Sequence, residues 1–303
     1  MAAGPLQSAL VGAVTTVIIP AAGRGTRFLP ATKALPKELI PVLDRPVVQW
    51  GVEEAVAAGL RRAVLVLGPG KDGVAAHFAP DRELEEALAQ AGRAELEAVV
   101  RAIAELTSVD TVEQPEPLGL GDAVRRAGEL VRGEPGVAVL LPDDLYVGPR
   151  PLLAQLLDAY RIHRCPVVAL RRCPPEAISR YGVVAVEGPG PVFRVTDLVE
   201  KPAREAAPSD LALMGRYILT PAVFAALETT TPGAGGEIQL TDGLRSALAA
   251  GPVVGVEYQG TLLDVGTLEG WIQTLVQLAA TDPRLGPAVR EGLRAAGLAV
   301  VPA

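Results

Sequence analysis

The sequence predicts an α/β fold in which a mixed, mainly parallel sheet carries helices on both faces. Apolar runs rich in valine and isoleucine, typical of buried strands, alternate along the chain with amphipathic segments of helical period. Glycine and proline separate these segments, as they do at helix ends and in turns. Hydrophobic residues make up 49% of the 303 residues and charged residues 21%, which excludes a disordered chain and indicates a globular one with a sizeable core.

The first half of the chain follows the pattern of βαβ units closely. The run VTTVII at residues 14–19 predicts a buried strand, and a loop with three prolines follows it. Pro46 and Gly59 bound a predicted amphipathic helix. The elements predicted next are a strand at 62–68, a helix near 72–79, a charged helix or helix pair at 81–106, a strand at 108–114, a helix at 119–131 and a strand at 137–142. Such alternation favours parallel strands joined by helical crossovers.

The second half of the chain has a less regular pattern. The strands predicted there, some of them paired as hairpins, cover residues 166–170, 181–186, 192–200 and 213–219. The predicted helices cover 237–251 and 268–282, and a C-terminal helix extends the second of them. No internal repeat and no low-complexity linker interrupts the chain, so we expect a single unit over residues 1–303.

Charge and cysteine content exclude several classes of protein. The formal net charge is −7, whereas a nucleic-acid-binding protein is normally basic. Cys165 and Cys173 are too few for a disulfide framework and lack the spacing of metal ligands, so we interpret them as small buried hydrophobic residues in a reducing cytoplasm. His77 and His163 have no neighbours that suggest zinc, and we expect both to be structural or surface residues.

The apolar stretch at residues 9–19 resembles the core of a signal peptide. No lysine or arginine precedes Arg24, so the positive region of such a peptide is missing, and the stretch merges with the first predicted strand. No later segment reaches the roughly 18 uninterrupted apolar residues that a membrane helix needs. We therefore expect a cytoplasmic protein without a membrane partner.

The segment AAGRGTRFLPATKALPKELIPV at residues 21–42 is the first candidate site. Gly23 and Gly25 follow a strand, as in a dinucleotide-binding turn, but Phe28 stands where the third glycine of that motif belongs. No Gly-Lys-Ser or Gly-Lys-Thr follows at the required distance, so the pattern of a P-loop is absent as well. The backbone N–H groups of such a turn can still approach an anion.

Three cations follow the turn on a segment that cannot be a regular helix. Arg27, Lys33 and Lys37 lie among three prolines, which rule out a normal helix there. A tight turn with solvated cations would explain a lone Gly-x-Gly motif. The stiffness that the prolines confer instead favours a segment that wraps a triphosphate, with backbone N–H groups first and side-chain charges after them.

Acidic residues form the second candidate site. Asp143 and Asp144 follow the strand predicted at 137–142, and the carboxyl ends of strands are where open α/β sheets bind ligands. Asp264 follows another short apolar run further along the chain. One or two carboxylates together with phosphate oxygens suit Mg²⁺, although an isolated Pro-Asp-Asp could equally be a solvated turn.

The motifs resemble, in their order along the chain, those of the bacterial UTP–glucose-1-phosphate uridylyltransferases, within the sugar-phosphate nucleotidyltransferase superfamily. The resemblance covers residues from about 15 to about 290 and rests on GRGTRFLPATKALPKELIPV, PLGLGDAV, LLPDDL, YGVV, VEKP, GRYIL and GGEIQLTD. It implies a Rossmann-like fold of the nucleotide-diphospho-sugar transferase type, with a small β-hairpin and C-terminal helices added. It also implies a nucleotide-binding half at about 14–150, a sugar-phosphate-binding half at about 151–265 and C-terminal helices at about 266–303.

The resemblance implies a role for each residue that matches a motif. Arg27 and Lys37 would be catalytic, and Asp143 and Asp264 would hold Mg²⁺. The residues implied to bind the nucleotide are Ala21, Ala22, Gly23, Gly25, Thr26, Gln114 and Gly119. The residues implied to bind the sugar phosphate are Gly182, Glu200, Lys201 and Glu237. Taken without the family, the Glu-Lys pair is an ordinary surface ion pair and the last glutamate an acid in the first turn of a helix.

The implied reaction joins glucose 1-phosphate to UTP and gives UDP-glucose and pyrophosphate, by in-line attack of the sugar phosphate on the α-phosphate. A phosphomonoester with a second pKa near ~6 is already largely ionised at pH 7, so no strong general base is needed. The sequence accordingly has two histidines and no visible Ser-His-Asp or Cys-His pattern. The family resemblance also implies a homodimer or homotetramer.

Leu268 departs from the family pattern, which usually has a lysine at that position. The motif DVGT at 264–267 is closer to the related thymidylyltransferases, and a pocket discriminates the one methyl group between uracil and thymine by only about 1–3 kcal/mol. UTP and dTTP therefore both stay open. Two further alternatives are a non-catalytic nucleotide-sugar-binding paralogue, disfavoured by the retained aspartates, and an NAD-dependent oxidoreductase, disfavoured by Phe28.

Overall fold

The computed structural model describes residues 13–298, so the apolar residues at 9–12 lie outside the described part of the chain. The strands in this part are β1 (Thr16–Ala21), β2 (Pro41–Val42), β3 (Arg45–Pro46), β4 (Arg62–Leu67), β5 (Ser108–Glu113), β6 (Val137–Leu140), β7 (Asp144–Val147), β8 (Val167–Arg172), β9 (Gly182–Glu187), β10 (Val192–Glu200), β11 (Leu211–Leu219), β12 (Val253–Glu257) and β13 (Thr261–Asp264). The helices are α1 (Val47–Ala57), α2 (Asp72–Ala76), α3 (Arg82–Gln90), α4 (Ala94–Ala104), α5 (Leu120–Ala127), α6 (Leu152–His163), α7 (Pro221–Thr229), α8 (Leu240–Ala247), α9 (Leu268–Thr281) and α10 (Gly286–Ala295).

Nine strands form one mixed sheet in the order β5-β4-β1-β6-β11-β8-β12-β10-β9. All of these strands except β10 and β11 run in the same direction, because only the ladders that involve those two strands are antiparallel. An additional pairing of β9 with β11 connects the last five strands into a ring. The predicted mixed, mainly parallel sheet is thereby confirmed.

Helices cover both faces of the sheet, as predicted. Alternate residues of β1 face opposite sides, since Val17 and Ile19 join one buried cluster and Ile18 joins the other. The first cluster packs against α1 and α6, and the second packs against α5, α7 and α8. Burying both faces explains why the strands are continuous apolar runs rather than alternating ones.

Two small two-stranded pieces lie outside the main sheet. Strands β2 and β3 form a short hairpin directly after the proline-rich loop. Strands β7 and β13 pair antiparallel, with Asp144 opposite Asp264 in the register. This second pair matters for function, because it brings together two acidic segments that are 120 positions apart in the sequence.

Seven elements of the described residues had no predicted counterpart at their positions: the strands β2, β3, β7, β12 and β13 and the helices α6 and α7. Helix α6 buries leucines at 152, 153, 156 and 157, which is a helical pattern, but a proline-rich segment directly precedes it. Helix α7 begins at Pro221, in the first helical position, where proline is tolerated. The helix predicted at 119–131 ends as α-helix at Ala127 and continues as a 3₁₀ turn. Within the described range, every helix is too short or too polar to span a bilayer.

Candidate active site

A cavity of about 450 Å³ lies where the loops after β1, β5 and β6 meet the ends of β9 and β10. Most of the residues implied by the family resemblance line it, and they come from both halves of the chain. These lining residues are Ala22, Gly23, Arg27, Lys37, Gln114, Gly119, Asp143, Gly182, Glu200, Lys201 and Glu237. The nucleotide-side and sugar-side candidates therefore face one shared space.

Four candidate residues do not line this central cavity. Gly25 and Thr26 line a smaller adjoining cavity of about 150 Å³. Arg27, Lys37 and Asp143 line this smaller cavity as well. Ala21 is buried at the end of β1, where its carbonyl oxygen accepts a hydrogen bond. Asp264 ends β13 and reaches the site through the turn that follows it.

The glycine-rich segment is not a regular helix, in agreement with its prolines. It forms three 3₁₀ turns, at Thr26–Phe28, Ala31–Lys33 and Lys37–Leu39. Gly25 has a φ of +65°, in the left-handed region where glycine is least strained, and its carbonyl oxygen accepts a 2.7 Å hydrogen bond from Thr32 Oγ1. Because of this folding, the segment presents both backbone and cationic side chains to the cavities.

Lys37 and Asp143 form the ion pair at the centre of the site. The Lys37 Nζ donates a 2.9 Å hydrogen bond to Asp143 Oδ2. Burial lowers the pKa of Lys37, but the Asp143 carboxylate more than offsets this and leaves the pKa above its ordinary value. Burial likewise raises the pKa of Asp143, and the charge and hydrogen bond of Lys37 outweigh it, so that pKa is lowered. Both groups are therefore ionised near neutral pH.

Negative charge is concentrated next to this pair. Burial, followed by the charge of Asp143, raises the pKa of Asp144 to about 7, and Asp264 adds to the effect while Arg216 opposes it. A Cβ placed on Gly215 would lie 3.0 Å from Asp144 Oδ2, so this carboxylate packs against the bare backbone of β11. The carboxylates of Asp143, Asp144 and Asp264 are thus close enough to affect one another.

Asp143 and Asp264 are suitably placed to hold a divalent cation together. A Cβ placed on Gly266 would lie 3.2 Å from Asp143 Oδ2 and 3.3 Å from Asp264 Oδ1, so both carboxylates border the space beside this glycine. Among residues 13–298, no group of three or more His, Cys, Asp or Glu side chains forms a metal site by itself. Two hard carboxylate donors, completed by phosphate oxygens of a ligand, match the preference of Mg²⁺.

The loop after β5 packs tightly on the segment before α8. Gly119 has a φ of +109°, and a Cβ at this position would lie only 2.6 Å from the carbonyl oxygen of Ile238. Gln114 is buried, and its Nε2 donates hydrogen bonds to the carbonyl oxygen of Gly119 at 3.1 Å and to Asp122 Oδ2 at 2.9 Å. The two nucleotide candidates in this loop are therefore held in one rigid turn.

The sugar-side candidates lie at the paired ends of β9 and β10. Gly182 is opposite Glu200 in the register, and the Oε2 of Glu200 accepts a 2.6 Å hydrogen bond from Thr241 Oγ1. Lys201 follows with a φ of +44°, unusual for a residue with a side chain, and its Nζ lies 3.4 Å from Glu200 Oε1. Strain at a half-exposed lysine that lines a cavity is more typical of a binding residue than of a surface ion pair.

Glu237 does not lie in the first turn of a helix, so the alternative of a dipole-stabilised acid is wrong. Helix α8 begins three residues later, at Leu240, and its first-turn acid is Asp242. Glu237 is exposed, lines the central cavity and accepts a 3.1 Å hydrogen bond from Gln239 Nε2.

Several cavity residues were not predicted from the sequence as part of the site. They include Arg180, Tyr181, Tyr217, Gln239 and Thr241. Tyr181 lies within the YGVV motif, Tyr217 within GRYIL, and Gln239 and Thr241 within GGEIQLTD, so the quoted motifs contained these four, whereas Arg180 precedes YGVV by one position. Lys71, which lies behind the glycine-rich loop, has no such signal.

Several known proteins are similar to this chain over most of its length. The family model described as nucleotidyl transferase matches residues 16–281. A UTP–glucose-1-phosphate uridylyltransferase of Bacillus subtilis is 41% identical over 273 residues, which cover 90% of this chain and 92% of that protein. A UDP-glucose pyrophosphorylase solved in complex with UDP-glucose is 36% identical with a TM-score of 0.80 and covers 89% of this chain and 100% of its own. A UTP-bound enzyme of the same kind from Acinetobacter baumannii is 34% identical with a TM-score of 0.85, covering 93% and 99%.

Proposed function

Because this chain belongs to the nucleotidyl transferase family, we propose that it joins glucose 1-phosphate to UTP and releases UDP-glucose and pyrophosphate. The observation that carries the proposal is the shared cavity. Cations and backbone of the glycine-rich segment border one side of it, and Gly182, Glu200 and Lys201 border the other. A space of this kind can hold a nucleoside triphosphate and a sugar phosphate side by side, as the reaction requires.

The proposed chemistry depends on charge and position rather than on a general base. The attacking phosphate of glucose 1-phosphate is already largely ionised at pH 7, with a second pKa near ~6. Neither His77 nor His163 lines the cavity. The repulsion between two approaching anions opposes the reaction. The cations that hold these anions in line and away from water therefore contribute most of the rate enhancement.

Each side of the cavity has a distinct task in this proposal. Arg27 and Lys37, with the backbone from Ala21 to Thr26, hold the triphosphate. Lys201 holds the attacking phosphate, and Glu200 and Gly182 receive the sugar. The turn that contains Gln114 and Gly119 faces the base, and Glu237 closes the sugar side. The proposed nucleotide-binding half (about 14–150), sugar-phosphate-binding half (about 151–265) and C-terminal helices (about 266–303) follow from these assignments.

We propose Mg²⁺ as the cofactor, held by Asp143 and Asp264. When bound, Mg²⁺ supplies positive charge to the phosphate oxygens as negative charge moves onto the departing pyrophosphate. Lys37 donates to one of these two carboxylates, so the residue that contacts the triphosphate also keeps a metal ligand oriented.

Thymidylyltransferase activity with dTTP is the second candidate, favoured by the motif DVGT at 264–267, while Leu268 after it departs from the family lysine. Leu268 begins α9 and is 49% exposed, and it does not border the central cavity. The turn after β5, rather than Leu268, would therefore set the preference between uracil and thymine. One methyl group on the base changes the affinity for the nucleotide by only about 1–3 kcal/mol.

A coupled assay of pyrophosphate release tests these proposals together. Glucose 1-phosphate, Mg²⁺ and each nucleoside triphosphate in turn are supplied, and kcat/KM is compared. We expect the highest value with UTP. A higher value with dTTP would move the activity to the thymidylyltransferase class, and no release with any triphosphate would indicate a non-catalytic binding protein.

A homodimer or homotetramer in the cytoplasm remains our proposal for the assembled protein. Leu268, Ile272 and Val276 are spaced four residues apart on α9, and each is about half exposed. An apolar stripe of this kind is typical of helices that contact another subunit. Analytical ultracentrifugation of the purified chain distinguishes a monomer from these assemblies.

A further inference from the structure

Lys71 is a buried cation directly behind the glycine-rich loop. Its Nζ donates three hydrogen bonds: to the carbonyl oxygen of Ala21 at 2.6 Å, to that of Gly23 at 2.6 Å and to Glu38 Oε2 at 2.8 Å. Lys71 is 8% exposed and Glu38 is 1% exposed. We propose that Lys71 is a positioning residue for the nucleotide, because it sets the direction of the peptide groups that receive the triphosphate.

The peptide geometry of the loop connects Lys71 to the cavity. In a planar trans peptide, the N–H of one residue points opposite to the carbonyl of the residue before it. Since the carbonyls of Ala21 and Gly23 both point at Lys71, the N–H groups of Ala22 and Arg24 point to the other side. Ala22 and Gly23 line the central cavity. One ammonium group therefore fixes the direction of two backbone donors, and one of them, the N–H of Ala22, belongs to a residue that lines the space in which an anion would lie.

The third hydrogen bond of Lys71 extends this control to a catalytic candidate. Glu38 is the residue after Lys37 and lies in the same 3₁₀ turn. By binding Glu38, Lys71 connects this turn to the start of the loop. The ammonium of Lys37 and the backbone donors therefore keep a fixed position relative to each other. The Oε1 of Glu38 has no hydrogen-bond partner within the described residues, which leaves Lys71 as the group that compensates this buried carboxylate.

A positioning role and a purely structural role predict different results when the pair is replaced by neutral groups. Lys71→Met alone leaves Glu38 buried without its cation and is expected to lose stability. The double variant Lys71→Met/Glu38→Gln removes that uncompensated charge and is expected to recover most of the thermal stability. It still lacks the donor for the two loop carbonyls, so its nucleotide site stays misaligned.

The experiment compares wild type, Lys71→Met/Glu38→Gln and Glu38→Gln as the matched control that keeps Lys71 on the carbonyls. This test rests on the proposed use of UTP, so steady-state kinetics are paired with hydrogen exchange of residues 21–28. We expect the double variant to raise KM for UTP by roughly tenfold or more, with KM for glucose 1-phosphate within about twofold of wild type and faster loop exchange. Glu38→Gln should raise KM for UTP by less than the double variant.

Two results would overturn the proposal. One is a stable double variant with wild-type KM for UTP and wild-type exchange in the loop. The other is an equal rise of both KM values, which would mean a general distortion of the site. If wild type shows no turnover with UTP, the proposed function fails, but the exchange of residues 21–28 still decides the role of Lys71: unchanged exchange in the double variant contradicts it, and faster exchange supports it.

Discussion

The proposed nucleotide side and the proposed sugar side of the cavity are built in different ways. The nucleotide side comes mainly from one stretch, residues 21–37, which the buried pair of Lys71 and Glu38 holds from behind. The sugar side is assembled from distant segments, with Gly182 and Glu200 brought together only by the pairing of β9 with β10. Their cations differ too, since the side chain of Lys71 is 10% exposed and that of Lys201 is 52% exposed.

This difference follows from the groups that each side is proposed to use for its ligand, backbone N–H groups on one side and side chains on the other. Where backbone N–H groups bind an anion, the peptide planes must be fixed in advance, and a buried ammonium that gathers the carbonyls does so. Where side chains bind, the register of two strands and one hydrogen bond from Thr241 are enough to place the carboxylate. Burial therefore organises the nucleotide side, and strand pairing organises the sugar side.

Asp143→Asn has the largest expected effect, because Asp143 is placed both in the central ion pair and at the proposed metal position. It contacts Lys37 on the nucleotide side and borders the proposed metal position beside Gly266. Loss of its charge should lower kcat by at least about 10²–10³-fold with little change in either KM, since the contribution arises in the transition state. Steady-state kinetics with both substrates varied measure this.

The matched control for Asp143→Asn is Asp158→Asn on α6, which changes a partly exposed aspartate that does not line the cavity. It should keep wild-type kinetics. A wild-type kcat in a correctly folded Asp143→Asn variant would remove the proposed metal assignment.

Arg27→Ala and Lys201→Ala should each raise the KM of a different substrate. Arg27 lines the cavity beside the glycine-rich turn and Lys201 lines it beside Glu200. Losing a charged contact should raise KM for UTP by about tenfold to a hundredfold in the first variant and KM for glucose 1-phosphate by a similar factor in the second. Each serves as the control for the other. A rise of the same KM in both variants would show that the two sides are not separate.

The two sides also differ in how well the sequence predicts them. The nucleotide loop could be predicted because the glycines, prolines and cations that define it lie within about 20 residues, and local rules apply to them. The sugar side depended on the family resemblance, since Thr241 and Glu200 meet across 41 positions. Lys71 was not predicted, because its partners lie 33 to 50 positions away and nothing in the flanking sequence marks them.

Alanine substitutions at Gly182 and at Gly23 should distinguish an effect on packing within the protein from an effect on the space for the ligand. A Cβ at Gly182 would lie 2.8 Å from Leu213 Cδ1 and 2.9 Å from Thr241 Oγ1, so the free energy of unfolding should fall by about 1–3 kcal/mol. No described atom lies within 4 Å of a Cβ at Gly23, so Gly23→Ala should keep its stability and raise KM for UTP. Thermal denaturation and kinetics measure both effects, and a destabilised Gly23→Ala variant would contradict the open geometry.

The smallest expected effect concerns pH and His77, which lies in the first half of the chain. His77 is half-buried and its Nε2 lies 2.9 Å from Gln49 Oε1 of α1. Burial lowers the pKa of His77 below 6.5, so the folded state binds this proton less readily than the unfolded state. Its contribution to stability is complete above about pH 6.5 and is lost as the pH falls toward the pKa of the folded state. His77→Gln should therefore make the free energy of unfolding less dependent on pH below 6.5, as measured by urea denaturation. An identical pH dependence in wild type and His77→Gln would mean that burial does not perturb this residue.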